Sequence, residues 1–64
     1  MIRYRLEFVG DGELPRPDNV YRDAPIVVGT VELYGAERFR VETVDEKADP
    51  AIAVLRKVGR GEPE

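Results

Sequence analysis

Two segments of the sequence alternate arginine with an aromatic residue: residues 3–5 read Arg-Tyr-Arg, and residues 38–40 read Arg-Phe-Arg. If both segments are neighbouring strands, period-two alternation places all four arginines on one sheet face. Sheets that bind single-stranded nucleic acid use such basic faces together with exposed aromatic rings. The pattern therefore predicts a candidate binding face, which consists of Arg3, Arg5, Tyr34, Arg38 and Arg40.

The same alternation also has a purely structural interpretation. It sends Tyr4 and Phe39 to the buried side of the sheet, so that only Tyr34 remains with the arginines. The formal net charge of −3 disfavours nucleic acid as a partner, because polyanions bind basic surfaces. A solvated ladder of cross-strand ion pairs, each worth about 0.2–1 kcal/mol, accounts for the arginines equally well. Its acidic members on this face are Glu7, Glu32 and Glu42.

Side chains for catalysis are scarce. The sequence has no Ser, Cys or His, so neither a catalytic triad nor a thiolate–imidazole pair can form. Thr30 and Thr43 fall in predicted strands without an adjacent base. The acidic residues of the predicted loops do not have the spacing of a calcium-binding EF-hand loop. We therefore expect no enzyme activity, no cofactor and no metal site.

The N-terminal segment predicts the clearest strand. Ile2, Tyr4, Leu6 and Phe8 alternate with charged residues, which is typical of a half-buried strand ending at Gly10. Residues 10–25 are rich in proline and turn-forming residues and predict a long loop. A loop of this length in so small a domain is either functional or contains a short strand near residues 20–21, and we expect Leu14, Val20 and Tyr21 to hold it to the body.

Residues 26–44 predict a β-hairpin with arms at 26–34 and 38–44. A three-residue loop, Gly35-Ala36-Glu37, keeps apolar residues opposite one another, whereas a two-residue loop sets Leu33 opposite Arg38 and mixes the faces. A bulge or bend at Gly29 would let residues 26–28 curl and bury both faces. The predicted register pairs Leu33 with Phe39, Val31 with Val41, Tyr34 with Arg38, Glu32 with Arg40 and Thr30 with Glu42.

Residues 51–58 fit two structures. A helix is favoured by Asp49 as its cap, Pro50 in its first turn and Gly59 at its end. A strand is favoured by the β-branched residues at 52, 54 and 58, and by the need to pair the open edges of a three-stranded sheet. We therefore keep both alternatives, with the strand preferred.

These elements predict a mainly β fold: an antiparallel sheet of four or five strands, curled into a small, partly open barrel of SH3-like shape. The alternative is an α+β fold, a three-stranded sheet with a C-terminal helix at 50–58. We expect one domain over residues 1–59 and a flexible tail over residues 60–64.

Length and composition bound the function. A 64-residue chain without cysteine has a small core and no disulfides to reinforce it, so association with a copy or a partner is one route to stability. We therefore expect a non-catalytic interaction or accessory module that self-associates or docks on a larger protein. The alternative is a small nucleic-acid-binding barrel that uses the arginine face. A cytoplasmic location without membrane contact is the default expectation.

Overall fold

The computed structural model describes residues 1–58, which form five strands and no helix. The strand predicted over residues 51–58 is confirmed, the helix alternative is wrong, and the short strand expected near residues 20–21 is present. The predicted tail at 60–64 lies outside the described residues. The strands are β1 (Ile2–Val9), β2 (Asp18–Arg22), β3 (Val31–Tyr34), β4 (Glu37–Asp45) and β5 (Ala51–Lys57).

All five strands belong to one sheet in the order β2-β1-β5-β4-β3. β1 and β5 are parallel, and the other neighbouring pairs are antiparallel. The sheet is curled into a half-barrel, consistent with a small SH3-like barrel. Across residues 1–58 the structure contains no helix that could span a lipid bilayer.

The concave face of the sheet, here called the inner face, carries the core. Its centre is aromatic: the Phe8 ring lies 4.9 Å from that of Phe39, in an edge-to-face arrangement. The loop residue Ile26 closes one part of the core, and its backbone N–H donates a 3.0 Å hydrogen bond to the Tyr4 hydroxyl. This bond satisfies a polar group that burial would otherwise leave without a partner. The buried residues are Tyr4, Leu6, Phe8, Ile26, Phe39, Val41, Ala51, Ala53 and Leu55.

β5 forms a strand because it pairs with β1 on one side and with β4 on the other. Its inward side chains are Ala51, Ala53 and Leu55, which alternate along the strand and are all buried. The β-branched Ile52 and Val54 lie half-buried on the opposite, outer face. A helix here would leave one edge of β1 and one edge of β4 without hydrogen-bond partners, so pairing overrides the local helix signals.

The hairpin register predicted from the sequence is wrong. The turn has two residues, Gly35 and Ala36, so that Tyr34 pairs with Glu37 and Leu33 lies opposite Arg38. Gly35 has a φ of 64° and Ala36 a negative φ, which suits a type II′ turn with glycine at its first central position. The prediction placed Leu33 inside, whereas turn geometry puts Leu33 outside. The remaining pairs are Val31 with Arg40 and Glu32 with Phe39.

Two irregularities bend the β3–β4 hairpin. The N–H of Gly29 donates to the Val41 carbonyl at 2.9 Å, and the N–H of Val41 donates to the Thr30 carbonyl at 2.8 Å. Two consecutive residues thus share one partner, which confirms the irregularity predicted at Gly29. A second register shift lies between Val41 and Thr43 of β4. The expected burial of residues 26–28 holds only for Ile26, because Val27 and Val28 are exposed.

Candidate functional site

The structure separates the four arginines of the predicted binding face into two groups. All four lie on the outer face, but β5 stands between β1, which carries Arg3 and Arg5, and β4. Arg5 is opposite Ile52, whereas Arg40 is opposite Arg56. These two positions are four residues apart on β5, about 13 Å at the rise of a strand. The arginines therefore do not form one continuous basic patch.

Tyr34 lies on the inner face, apart from the arginines. Its ring is 4.8 Å from that of Phe8, and its hydroxyl donates a 2.7 Å hydrogen bond to Asp18 Oδ2. This hydrogen bond raises the pKa of the Tyr34 phenol above its ordinary value, with smaller contributions from desolvation and from the charge of the carboxylate. The expectation that Tyr34 shares a face with the arginines is wrong. Relative to the predicted three-residue turn, the two-residue turn exchanges the inner and outer side chains of β3.

Ion pairs are present, but with partners other than those predicted. Glu32 does not face Arg40; it accepts a 3.2 Å contact from Arg22 of β2. On the outer face Glu42 is held by Arg56 of β5, and this hydrogen-bonded pair lowers the pKa of Glu42. Charge neutralisation across the sheet is therefore real, although its register differs from the predicted ladder.

An open groove of about 370 Å³ lies on the outer face beside β1 and β2. Arg3 is opposite Tyr21 and Arg5 is opposite Asn19, so two cations, an amide and an aromatic ring line one surface. Tyr21 is 62% exposed and does not hold the loop to the body as predicted, whereas Leu14 and Val20 do pack against the core. The sequence did contain a signal for this: if Val20 faces the core, alternation along a strand places Tyr21 on the outer face. Pro50 completes the lining.

The open seam of the half-barrel runs between β2 and β3. No Cα atom of β2 lies within 8 Å of a Cα atom of β3, so no backbone ladder closes the barrel there. Two side-chain bridges cross the gap instead: Arg22 to Glu32 and Tyr34 to Asp18. Within residues 1–58 the sheet therefore keeps two unpaired edges, which these bridges and the connection 23–30 hold near each other.

The β3 edge presents backbone groups without partners among the described residues. In an antiparallel pair, alternate residues hydrogen-bond to the neighbouring strand. Because Thr30 hydrogen-bonds to Val41, Glu32 and Tyr34 also bond to β4. The backbone N–H and C=O groups of Val31 and Leu33 therefore point away from β4. Leu33 is 74% exposed beside this edge. The edge thus combines free N–H and C=O groups with an exposed apolar side chain.

Metal-ligating side chains do not converge in the part of the chain that the structure describes. Residues 1–58 contain no group of three or more acidic side chains placed to hold a metal ion. The hydroxyl of Thr30 donates a 2.7 Å hydrogen bond to the Val27 carbonyl, which gives it a structural partner. The groove and the β3 edge are therefore the two candidate functional surfaces.

The chain was compared with protein-family models, with curated proteins and with solved structures, and none of the three comparisons finds a match.

Proposed function

We propose that this protein is a non-catalytic interaction module that associates by adding a strand to the β3 edge. The observation that carries the proposal is the outward direction of the backbone groups of Val31 and Leu33, next to a largely exposed leucine. Strand addition satisfies such groups with main-chain hydrogen bonds, and flanking side chains add selectivity.

A second copy of the chain is the first form of the proposal, and its unfavourable feature is that Glu32 lies opposite Glu32 of the other copy. In a two-fold antiparallel pairing centred on Glu32, Val31 faces Leu33 of the second copy, and Leu33 faces its Val31. Both side chains lie on the outer face, so the pairing also buries apolar surface that is exposed in the single chain. Docking on an extended strand of a larger protein would use the same groups and is the second form of the proposal.

The gap between β2 and β3 leaves space beside β3, but the side-chain bridges across that gap oppose the entry of an added strand. Neighbouring strands lie about 4.8 Å apart, so a single strand added beside β3 requires β2 to stand about 9.6 Å away, and a second copy, whose β4 follows its β3, requires a wider opening. The present gap exceeds 8 Å between Cα atoms; the Arg22–Glu32 and Tyr34–Asp18 bridges span it, and the connection 23–30, with Ile26 in the core, joins β2 to β3. Strand addition breaks both bridges, and the main-chain hydrogen bonds gained at the β3 edge offset that loss.

The test is sedimentation equilibrium of the full chain from about 5 to 500 µM, a range that covers weak association. We expect a reversible dimer that Leu33→Lys dissociates, since a charge at the edge opposes strand pairing. The matched control is Val28→Lys, which changes an exposed valine outside β3. Dissociation by both variants to the same extent would assign the contact to a general apolar patch and overturn the proposal.

A wild-type monomer across the whole range would overturn self-association. The docking form then has its own test, a pull-down comparing wild type with Leu33→Lys. Capture of a protein by the wild type and by Val28→Lys, but not by Leu33→Lys, supports strand addition. Equal capture by all three contradicts it.

A further inference from the structure

We propose that the outer-face groove beside β1 and β2 binds a phosphate monoester joined to a planar ring, a ligand of mononucleotide size. This surface is separate from the β3 edge and does not depend on the association proposed for that edge. Its lining combines cationic forks, an amide and an exposed aromatic ring within one open volume of about 370 Å³. Small-molecule sites of roughly 300–1,000 Å³ are typical of proteins.

Arg3 and Arg5 supply the anion-binding groups. They lie two residues apart on the same face of β1, which separates their Cα atoms by about 7 Å. Each already binds a carboxylate: Arg3 Nη2 lies 3.6 Å from Asp49 Oδ1, and Arg5 Nε lies 3.2 Å from Glu7 Oε2. The side chain of Asp49 is 95% exposed, so this pair is weak and readily exchanged. A phosphate, which can accept several charge-assisted hydrogen bonds, competes well for both guanidinium groups.

Tyr21 and Asn19 supply the groups that recognise a ring. Tyr21 is 62% exposed and directly opposite Arg3 across the β1–β2 ladder. Stacking of a base on an aromatic side chain contributes about 1–3 kcal/mol. Asn19 is opposite Arg5, and its amide offers both donors and an acceptor to the edge of a ring. The order of these groups places the ring over β2 and the phosphate over β1.

The charges around the groove favour a compact anion over a long nucleic acid. The outer-face row that contains Asn19 and Arg5 continues through Ile52 to Asp45, and Glu7 is the next outer residue along β1. A strand of nucleic acid leaving the groove across β5, or along β1 toward Val9, would pass one of these carboxylates. The formal net charge of −3 adds to this repulsion. A single phosphate on one ring avoids it.

The test is a titration of the full chain with adenosine 5′-monophosphate at about 50 mM salt, followed by amide chemical shifts. We expect saturable shifts at residues of the groove and affinity at least about tenfold higher than for inorganic phosphate or adenosine alone, which corresponds to about 1.4 kcal/mol. Arg5→Gln and Tyr21→Leu should each weaken binding at least about fivefold. Arg16→Gln removes the same charge from an exposed loop residue and should leave the affinity unchanged.

Several results would overturn the proposal. One is the absence of saturable shifts up to about 10 mM nucleotide, a range that covers millimolar affinities. Another is equal weakening by Arg16→Gln and Arg5→Gln, which would reveal a diffuse charge effect. Tighter binding of a single-stranded oligonucleotide than of the mononucleotide would replace the proposed ligand with a nucleic acid. The amide spectrum of each variant shows directly whether its fold is retained.

Discussion

Strands β1 and β3 differ in what decides which side chains face the core, although both carry alternating apolar residues. β1 has a hydrogen-bonded neighbour on each side, and its apolar residues Tyr4, Leu6 and Phe8 all face the core. β3 lies at the edge, and its leucine faces solvent while Glu32 and Tyr34 occupy the inner face. Burial therefore dictates the facing of a central strand, whereas the turn and the seam partners dictate it at the edge.

The difference has an energetic cause. Slipping β1 by one residue would expose three large apolar side chains and disrupt two ladders at once. Slipping β3 would exchange one exposed leucine for a half-buried tyrosine, a much smaller change. Edge strands are less strongly fixed, so a favourable turn at Gly35 and the bridges from Asp18 and Arg22 suffice to set the register.

The sharpest test compares one substitution in both strands. Leu6→Ala removes a side chain that is 1% exposed and should lower the free energy of unfolding by about 2–5 kcal/mol. Leu33→Ala removes one that is 74% exposed and should change it by no more than about 0.5 kcal/mol. Urea denaturation at protein concentrations at which the chain is monomeric measures both. Comparable losses would show that Leu33 packs in the core and that the predicted three-residue turn is correct.

Two glycines allow a second comparison. Gly10, at the end of β1, has a φ of 138°, and a Cβ there would lie 2.9 Å from the Cβ of Lys57. Gly10→Ala should therefore add a steric clash to a backbone penalty of about 1–3 kcal/mol. Gly35→Ala meets open space and should cost only the backbone penalty of about 1–3 kcal/mol. Thermal unfolding ranks the two, and a larger loss at Gly35 would contradict the close approach of β1 and β5.

Two tyrosine hydroxyls give a smaller contrast. Tyr4→Phe leaves the buried N–H of Ile26 without an acceptor and should cost about 1–3 kcal/mol. Tyr34→Phe breaks the exposed bond to Asp18 and should lower the melting temperature by less. The reverse order would mean that the seam, not the core, limits stability.

The smallest expected effect depends on pH. The pKa of Tyr34 is raised in the folded state, so the stability from its hydroxyl is present below pH 10, the value of the unfolded chain, and is lost as pH rises through the folded pKa. The stability difference between wild type and Tyr34→Phe should therefore shrink above pH 10. Denaturation at pH 8 and pH 11 measures it, and a constant difference would show that the phenol and Asp18 are not coupled.

The contrast between the central strand β1 and the less predictable outer strands also applies to the candidate surfaces. Arg3 and Arg5 belong to β1, and the alternation of that strand correctly predicts that they lie on the outer face. Their aromatic neighbour was assigned to Tyr34 by a register argument, but the structure supplies Tyr21 instead. β2 contains only five residues within a proline-rich loop, and the prediction used both Val20 and Tyr21 as anchors, although alternation from Val20 places Tyr21 outside. The outward backbone groups at Val31 and Leu33 also required the register, which the sequence does not reveal.

The sequence by itself determines the mainly β architecture, the core face of β1, the irregularity at Gly29 and the absence of Ser, Cys and His. These features depend on residue types and on local periodicity, which act within a few residues. Only the tertiary structure decides that residues 51–57 form a central strand and that Leu33 faces water. Those outcomes depend on hydrogen bonds and packing between segments distant along the chain, whose energies exceed the local preferences that they override.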